Sequence, residues 1–445
     1  MKNFVITMPN AVKKAINLLK QNGHQAYIVG GCVRDCIMGK EPSDWDITTS
    51  ALPFEVEKAL SGNTVIQTGV EHGTVTAVID SFTIEITTFR VDGIYTDSRH
   101  PEKVEFTNSL TEDLKRRDFT MNAIAYCEDE GLIDPFGGIG DILNRVICTV
   151  GMASERFEED ALRILRALRF SSVLGFEIES VTSEEIISHK DSLLNISPER
   201  IMSELKKLLC GKNVSYILTN YKEVFFTVIP ELKSCDGFEQ KTKYHIHDIY
   251  THTVFGVSQI KPDVKLRLAM LFHDIAKPMC FEVDKNGVGH FPSHAKKGAE
   301  VTNAVLKRLK FDRETTDYVT LLVKNHDIPF SCEESLLLRR LNQFGEKTVR
   351  DLILIKRADN LAKSDIVLPR QKEFDEIEKV LNDIILSKKC FSLKDLQING
   401  NEIKSLGVSE GEKIGLILSS LLEDVMDKKI PNEKSILIRE VKKLI

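Results

Sequence analysis

The chain has 445 residues, a formal net charge of −6, nine cysteines and 42% hydrophobic residues. That length exceeds what a single hydrophobic core normally supports and calls for two or more packed modules. The acidic balance excludes a general polyanion binder, so any nucleic-acid contact must be a local basic patch. No apolar run approaches the roughly 18 residues of a membrane span, and cysteines without a CxxC pair suit a reducing compartment, so the cytoplasm is the expected location.

Behind Pro9, Val12, Ile16 and Leu19 recur at helical spacing, so the first residues read as a helix of the fold and not as a cleavable signal. Residues 1–145 then mix short β-rich runs with helices and form an α/β module. Residues 146–240 read as helical. Residues 241–370 are helical and His-rich, with seven of the eleven histidines falling between His245 and His326. Residues 371–445 read as an amphipathic helical tail. The fold class expected is α+β, an α/β sheet module followed by all-α modules.

The first chemistry-bearing run follows a predicted strand at 26–29, where Gly30 and Gly31 open a helix that carries Arg34. Glycines there let backbone N–H groups approach a phosphate, and Arg34 adds a charged donor. A tight strand-to-helix turn is the alternative. Next come Asp44 and Asp46; alternation along one strand would set both carboxylates on one face about 7 Å apart, suited to holding Mg²⁺ against a triphosphate. Glu85 sits inside an otherwise β-branched strand, where a carboxylate needs a partner and a shared metal would supply one; a turn is the alternative for the Asp44/Asp46 pair, and an exposed-face Glu on an edge strand for Glu85. The segment 114–123 then packs Arg117, Asp118 and Asn122 beside an apolar run, either as a sugar-phosphate contact or as a helix cap behind a basic turn.

Taken in order, GGCVRD at 30–35, DWDIT at 44–48, EITTFR at 85–90, RRDFTMNAIAY at 116–126 and DPFGG at 134–138 resemble the head of the class II tRNA nucleotidyltransferases and related poly(A) polymerases. The resemblance implies a polymerase-β-like nucleotidyltransferase head. It implies Asp44 and Asp46 as Mg²⁺ ligands, Glu85 as the third carboxylate, and Gly31, Arg34 and Arg117 on the incoming nucleotide, in a site with Gly30, Asp118 and Asn122.

Between 159 and 170, Asp160, Arg163, Arg166 and Arg169 recur every third residue with apolar residues between them, which predicts one buried helix with a narrow charged stripe. Asp160 and Arg163, at i and i+3, would pair an acceptor with a forked donor and could read the edge of cytosine or adenine; a structural ion-pair ladder is the alternative. The run EDALRILRALRF resembles the family's amino-acid template for CTP and ATP. Ser197-Pro198-Glu199-Arg200-Ile201, with Glu204, Lys206 and Lys207, resembles the motif that closes the neck. Residues 90–105 resemble the full-length flexible loop of members able to add A, which CC-only relatives lack.

Farther on, His252, His273, Asp274, His294, His326 and Asp359 fall on helical stretches and could form a mixed N/O metal site. LFHDIAKP at 271–278 and GVGHFPSHA at 287–295 resemble HD-domain metal-dependent phosphohydrolases. That resemblance implies His252, His273, Asp274 and Asp359 as ligands of a second divalent ion, Ni²⁺, Mn²⁺ or Mg²⁺, with His294 and His326 lining the pocket. The expected activity is addition of CCA to the tRNA acceptor stem from CTP and ATP with Mg²⁺, without a membrane or an obligate protein partner. The rivals are an A-adding enzyme, a poly(A) polymerase, an HD hydrolase of phosphoester ends with the head used for RNA capture, and a non-catalytic tRNA chaperone.

Overall fold

A computed structural model describes residues 4–92, 104–409 and 411–445. Helix α1 (Asn10–Gln21) buries Val12, Ala15, Ile16 and Leu19, the single-face spacing that an amphipathic helix needs. There follow β1 (Ala26–Val29), α2 (Gly31–Ile37), β2 (Asp46–Thr49), α3 (Pro53–Ala59), β3 (Thr64–Gly69), β4 (Thr74–Ile79), β5 (Phe82–Thr88), β6 (Arg90–Asp92), β7 (Val104–Phe106), α4 (Leu110–Lys115), β8 (Ala125–Cys127), β9 (Gly131–Ile133) and α5 (Gly138–Asn144).

Seven of these strands form one mixed sheet in the order β3-β4-β5-β2-β1-β8-β9. The parallel neighbours are β2 and β5, whose register sets Asp46 opposite Glu85. On β5 the alternation is strict: Ile84, Ile86 and Thr88 point into the core and Glu85 points out. Strands β6 and β7 pair antiparallel at the base of the expected flexible loop; residues 93–103 of that loop lie outside the described residues. Helix α5 lies close on the turn Thr120–Asn122 because Gly138 has no side chain: a Cβ there would sit 2.1 Å from the Thr120 carbonyl oxygen. The Asp134 carboxylate accepts hydrogen bonds from the N–H groups of Gly138 and Ile139 at 2.8 and 2.9 Å, which accounts for the acid that opens DPFGG.

The helices α6 (Ala153–Glu159), α7 (Leu162–Leu174), α8 (Ser180–Ser188), α9 (Pro198–Leu209), α10 (Val214–Asn220) and α11 (Lys222–Val228) complete a compact unit that spans residues 1–230. The single helix predicted across 159–170 is in fact two. Asp160 adopts extended φ/ψ of −147° and 99° and ends α6, and α7 starts after it.

A second compact unit spans residues 231–445. It contains α12 (Ile249–Gln259), α13 (Val264–Phe272), α14 (His294–Arg308), α15 (Arg313–Asn325), α16 (Glu334–Leu361, kinked at Gly345 where φ is 75°), α17 (Arg370–Leu386), α18 (Gly400–Ser405), α19 (Gly411–Met426) and α20 (Lys434–Leu444). Ion pairs tie the C-terminal helices to α16: Glu334 with Lys389 at 2.6 Å and Lys428 at 3.0 Å, and Arg339 with Asp427 at 2.6 Å. Residues 241–370 and 371–445 therefore share one packed unit. The mixed α+β class is as expected.

Candidate active site and metal centre

Three carboxylates, Asp44, Asp46 and Glu85, are near enough to feel one another's charge where β2 and β5 run side by side. Asp46 begins β2 and is half-buried, Glu85 is its register partner, and exposed Asp44 lies just before the strand with its Oδ1 accepting from Ser43 Oγ at 2.7 Å. Asp44 thus comes to Asp46 from a loop and not by strand alternation, a correction to the sequence expectation. Burial first, and then the charges of Asp44 and Glu85, push the Asp46 pKa up to about 6, with Arg117 opposing. An acidic cluster that raises its own pKa in this way is short of positive charge, so its donor set fits a hard divalent cation such as Mg²⁺.

Arg117 is the basic side chain whose charge reaches Asp46. Gly30, at φ 80°, ends β1, and a Cβ on it would approach Arg117 Nη1 to 3.1 Å; only glycine permits that turn and that contact together. Arg117 Nη2 is 3.4 Å from Asp113 Oδ2, while its Nε is buried without a hydrogen-bond partner. Asp113, which the sequence reading missed, is fully buried. Its carboxylate takes Thr48 Oγ1 at 2.9 Å and Arg116 at 2.7 and 2.9 Å, so it ties β2 to the basic turn. The signal for it was an acid three and four residues ahead of two arginines on a short helix.

Arg34, Asn122, Asp118 and Arg166 form a continuous polar chain. Arg34 Nη1 donates to Asn122 Oδ1 at 2.8 Å, Asn122 Nδ2 to Asp118 Oδ1 at 3.0 Å, and Arg166 Nε to Asp118 Oδ2 at 2.8 Å. Burial opposes charge on Asp118, but Arg166 and the Asn122 amide outweigh it and hold the pKa at about 2. Arg169 reaches Glu204 at 2.6 Å. The guanidinium groups of Arg34, Arg166 and Arg169 all lie over the Phe170 ring, 5.1, 5.6 and 3.8 Å from its centroid.

Asp160 and Arg163 do not pair with each other, contrary to the i, i+3 expectation. Asp160 is held by Arg200, with Nη2 to Oδ2 at 2.7 Å and Nη1 to Oδ1 at 3.2 Å. Arg163 is buried; it pairs with Glu159 at 2.6 Å and donates to the carbonyls of Arg116 at 3.0 Å and Arg156 at 3.2 Å. The physical reason is the break at Asp160, which turns its carboxylate toward α9 and leaves Arg163 facing one carbonyl of the basic turn and one of α6.

In the second unit, α13 ends in His273 and Asp274, and α12 and α16 bring His252 and Asp359 to them. The ligand atoms of these four residues lie within 4.8 Å of one another, and Asp274, His294 and His326 form a second such group. His273 Nε2 and Asp274 Oδ2 are 3.1 Å apart, and both are buried without an aligned hydrogen bond. Lys277 and Lys363 lie 2.7 and 2.6 Å from Asp274 and Asp359. Burial disfavours charge on His273, but Asp274 and Asp359 outweigh it and raise its pKa to about 9. Beside Asp359 opens a 420 Å³ cavity whose walls include Lys356, Lys363, Arg370, Tyr244 and Phe374.

Comparison with known proteins bears on both units. The family described as Poly A polymerase head domain matches residues 26–148, that described as the probable RNA and SrmB-binding site of polymerase A matches 175–234, and that described as tRNA nucleotidyltransferase domain 2, putative, matches 293–441. The chain is 33% identical over 435 residues to a CCA-adding enzyme of Levilactobacillus brevis, covering 96% of each. It is 51% identical over 203 residues to a CCA-adding enzyme of Geobacillus kaustophilus, a match that covers 46% of this chain and 50% of that protein. A crystal structure of the Bacillus stearothermophilus CCA-adding enzyme in complex with CTP superposes with a TM-score of 0.73 at 28% identity, covering 98% of this chain and 99% of that one. The chain belongs to the CCA-adding enzyme family.

Proposed function

We propose that the protein extends the 3′ end of tRNA by C, C and A, taking nucleoside monophosphate units from CTP and ATP in the cytoplasm. The observation that carries this reading is the register of Asp46 against Glu85, with the charges of Asp44 and Arg117 acting on Asp46, in a chain similar over 96% of its length to a CCA-adding enzyme. Asp44 and Asp46 would hold Mg²⁺, whose charge would offset the negative charge on the phosphoryl group being transferred. Arg117, with its Nε uncommitted, and Arg34 take the triphosphate oxygens, and the polar chain from Arg34 to Arg166 keeps those donors aligned. Asp160 and Arg163, with Arg166 and Arg169 behind them, select the base. Asp160 does so after exchanging its Arg200 partner for the amino group of cytosine or adenine.

The test is incubation with Mg²⁺ and tRNA transcripts ending before CCA, after C and after CC, with single and mixed nucleoside triphosphates. Growth by C, C and A followed by arrest supports the reading. Growth only from CC with ATP makes the protein an A-adding enzyme, unlimited A makes it a poly(A) polymerase, and no growth overturns the assignment.

A second reading concerns the second unit. The His/Asp cluster, with three cationic side chains around the cavity beside Asp359, favours a divalent-metal centre that hydrolyses phosphoester ends, as the likeness to HD-domain phosphohydrolases implies. Release of phosphate from nucleotides ending in a phosphoester, lost in His273→Ala and kept in Asp46→Asn, tests it.

A further inference from the structure

We infer that Phe170 is a positioning residue for the incoming nucleotide: its ring sets the tilt of the Arg34 guanidinium, and gathers those of Arg166 and Arg169 with it, so that CTP and ATP meet donors already in place. This rests on the reading that Arg34 takes the triphosphate, and the experiment below separates the two.

Phe170 lies on α7 and is 5% exposed. Arg34 comes to it from α2, while Arg166 and Arg169 share its own helix, all within the first compact unit. The three guanidinium carbons lie 5.1, 5.6 and 3.8 Å from the one ring centroid. Fully buried Phe119 braces the ring in a T-shaped contact, with centroids 5.8 Å apart and planes at 85°.

Hydrogen bonds alone do not fix the Arg34 plane. A guanidinium carries all its donors in that plane. Arg34 Nε and Nη2 donate to Asp35 Oδ1 at 2.9 and 2.8 Å, and Nη1 donates to Asn122 Oδ1 at 2.8 Å. These bonds engage three of the five donors and leave two, one on each Nη, for the oxygens of a triphosphate. Where those two point depends on the tilt of the plane. Bonds at its edges constrain tilt weakly, whereas an aromatic ring against it constrains tilt by contact and by the attraction of the π face for the cation.

The charges show what an aromatic ring offers there that other side chains do not. Each guanidinium has a carboxylate: Asp35 for Arg34, Asp118 for Arg166 and Glu204 for Arg169. The cations still press on one another. Burial pulls the Arg169 pKa below its usual value, Glu204 opposes, and the charge of Arg166 adds to the fall. A π face attracts a cation without neutralising it, so the ring holds three arginines together and leaves the charge of Arg34 for phosphate. Another acid in its place would consume that charge, and an aliphatic side chain would not attract it.

The experiment places phenylalanine analogues with one, two and three ring fluorines at position 170 of the full-length protein. Fluorine withdraws electron density from the π face and leaves the shape of the ring nearly as it was. Steady-state addition is read with CTP on tRNA ending before CCA and with ATP on tRNA ending after CC, and Tm is read alongside. KM for both nucleotides is expected to climb with each fluorine, about tenfold from none to three, with kcat held within about twofold. Phe170→Leu should raise KM at least as far. A KM that stays flat across the series overturns the inference whatever Tm does, because a ring that only fills space does not sense its own electron density. A change confined to kcat, or to one nucleotide, overturns it too. Arg34→Gln tells the two readings apart. With KM raised in Arg34→Gln but flat across the fluorine series, the inference alone falls; with KM unchanged in Arg34→Gln, the assignment of Arg34 to the triphosphate falls and takes the inference with it.

Discussion

Asp118 and Arg166, 48 residues apart, form an ion pair in which both Arg166 Nη2 and Nε reach the same carboxylate oxygen, at 2.5 and 2.8 Å, while the Asn122 amide holds the other. Head and neck are joined in this unit through one buried acid, and the same acid aligns Arg34 through Asn122. Asp118→Asn keeps the shape and removes the charge, leaving a partly buried guanidinium short of its partner. The expected loss of stability is about 3 kcal/mol, read as a lower urea midpoint at pH 7, with kcat/KM for ATP falling at least tenfold. The pKa of about 2 lies below the unfolded value, so the stabilisation, about 2 kcal/mol, is complete above the unfolded pKa and drains away as the pH falls toward 2. The gap between variant and wild type should therefore narrow as the pH drops from 5 to 3.

Asp46 has the opposite sign. Its folded pKa, about 6, is above that of an unfolded aspartate, so in the metal-free protein it favours the fold at low pH, and that contribution is lost as the pH rises through 6. Mg²⁺ competes with the proton. Added Mg²⁺ should thus raise Tm more at pH 7.5 than at pH 5.5, and the difference should vanish in Asp46→Asn. Trp45, the only tryptophan of the chain and buried between the two aspartates in sequence, offers a fluorescence readout of the same titration.

Gly30→Ala places a methyl group at a φ of 80° and 3.1 Å from Arg117 Nη1. Backbone strain of about 1 kcal/mol and displacement of Arg117 should raise KM for CTP and ATP alike, without a change in the order of bases added. Steady-state kinetics with each triphosphate would show it, and a change in base order would count against the assignment of Arg117 to the phosphates.

Asp160→Ala should relax the choice between CTP or ATP and GTP or UTP, measured by single-nucleotide incorporation. Arg163→Ala should also relax base choice more than it slows phosphate transfer. It should cost stability as well, about 2 kcal/mol, because Arg163 satisfies the carbonyls of Arg116 and Arg156 in a buried position. Arg200→Ala, which frees the Asp160 carboxylate, should impair addition without altering tRNA binding.

His273→Ala should leave CCA addition within about twofold of wild type, since every residue assigned to transfer lies in the first compact unit and His273 lies in the second. Loss of addition in a folded His273→Ala protein, checked by circular dichroism, would instead make the His/Asp centre essential to the main reaction.

Local chemistry made much of the site legible from the residues alone. Asp44 and Asp46 stand out as paired carboxylates, Glu85 because a carboxylate in a β-branched strand needs a partner, and Gly30 and Gly31 because glycines between a strand and a helix let backbone N–H groups approach a phosphate. Residues that act through distant partners were harder to read. Nothing between Glu159 and Leu162 is a proline or glycine, so the run reads as helix throughout; the bidentate hold of Arg200 on Asp160, 40 residues away, accompanies a break that local propensity does not show. Asp113 was overlooked because its meaning lies in Thr48, 65 residues earlier. His294 and His326 come together with Asp274, but the direction of a ring nitrogen depends on which carbonyl lies behind it, and that depends on the path of the whole helix.

The ring Nδ1 atoms of His273, His294, His326 and His252 face the backbone carbonyls of Met270, Phe291, Val323 and Ala362, and none of these partners is a side-chain atom. Replacing any of those four residues leaves the carbonyl where it was. The aim of the imidazoles is thus sheltered from most single-codon changes and exposed instead to anything that frays the ends of the helices carrying them. Such a centre should tolerate drift in the amino acids around it and fail by heat or denaturant before it fails by mutation.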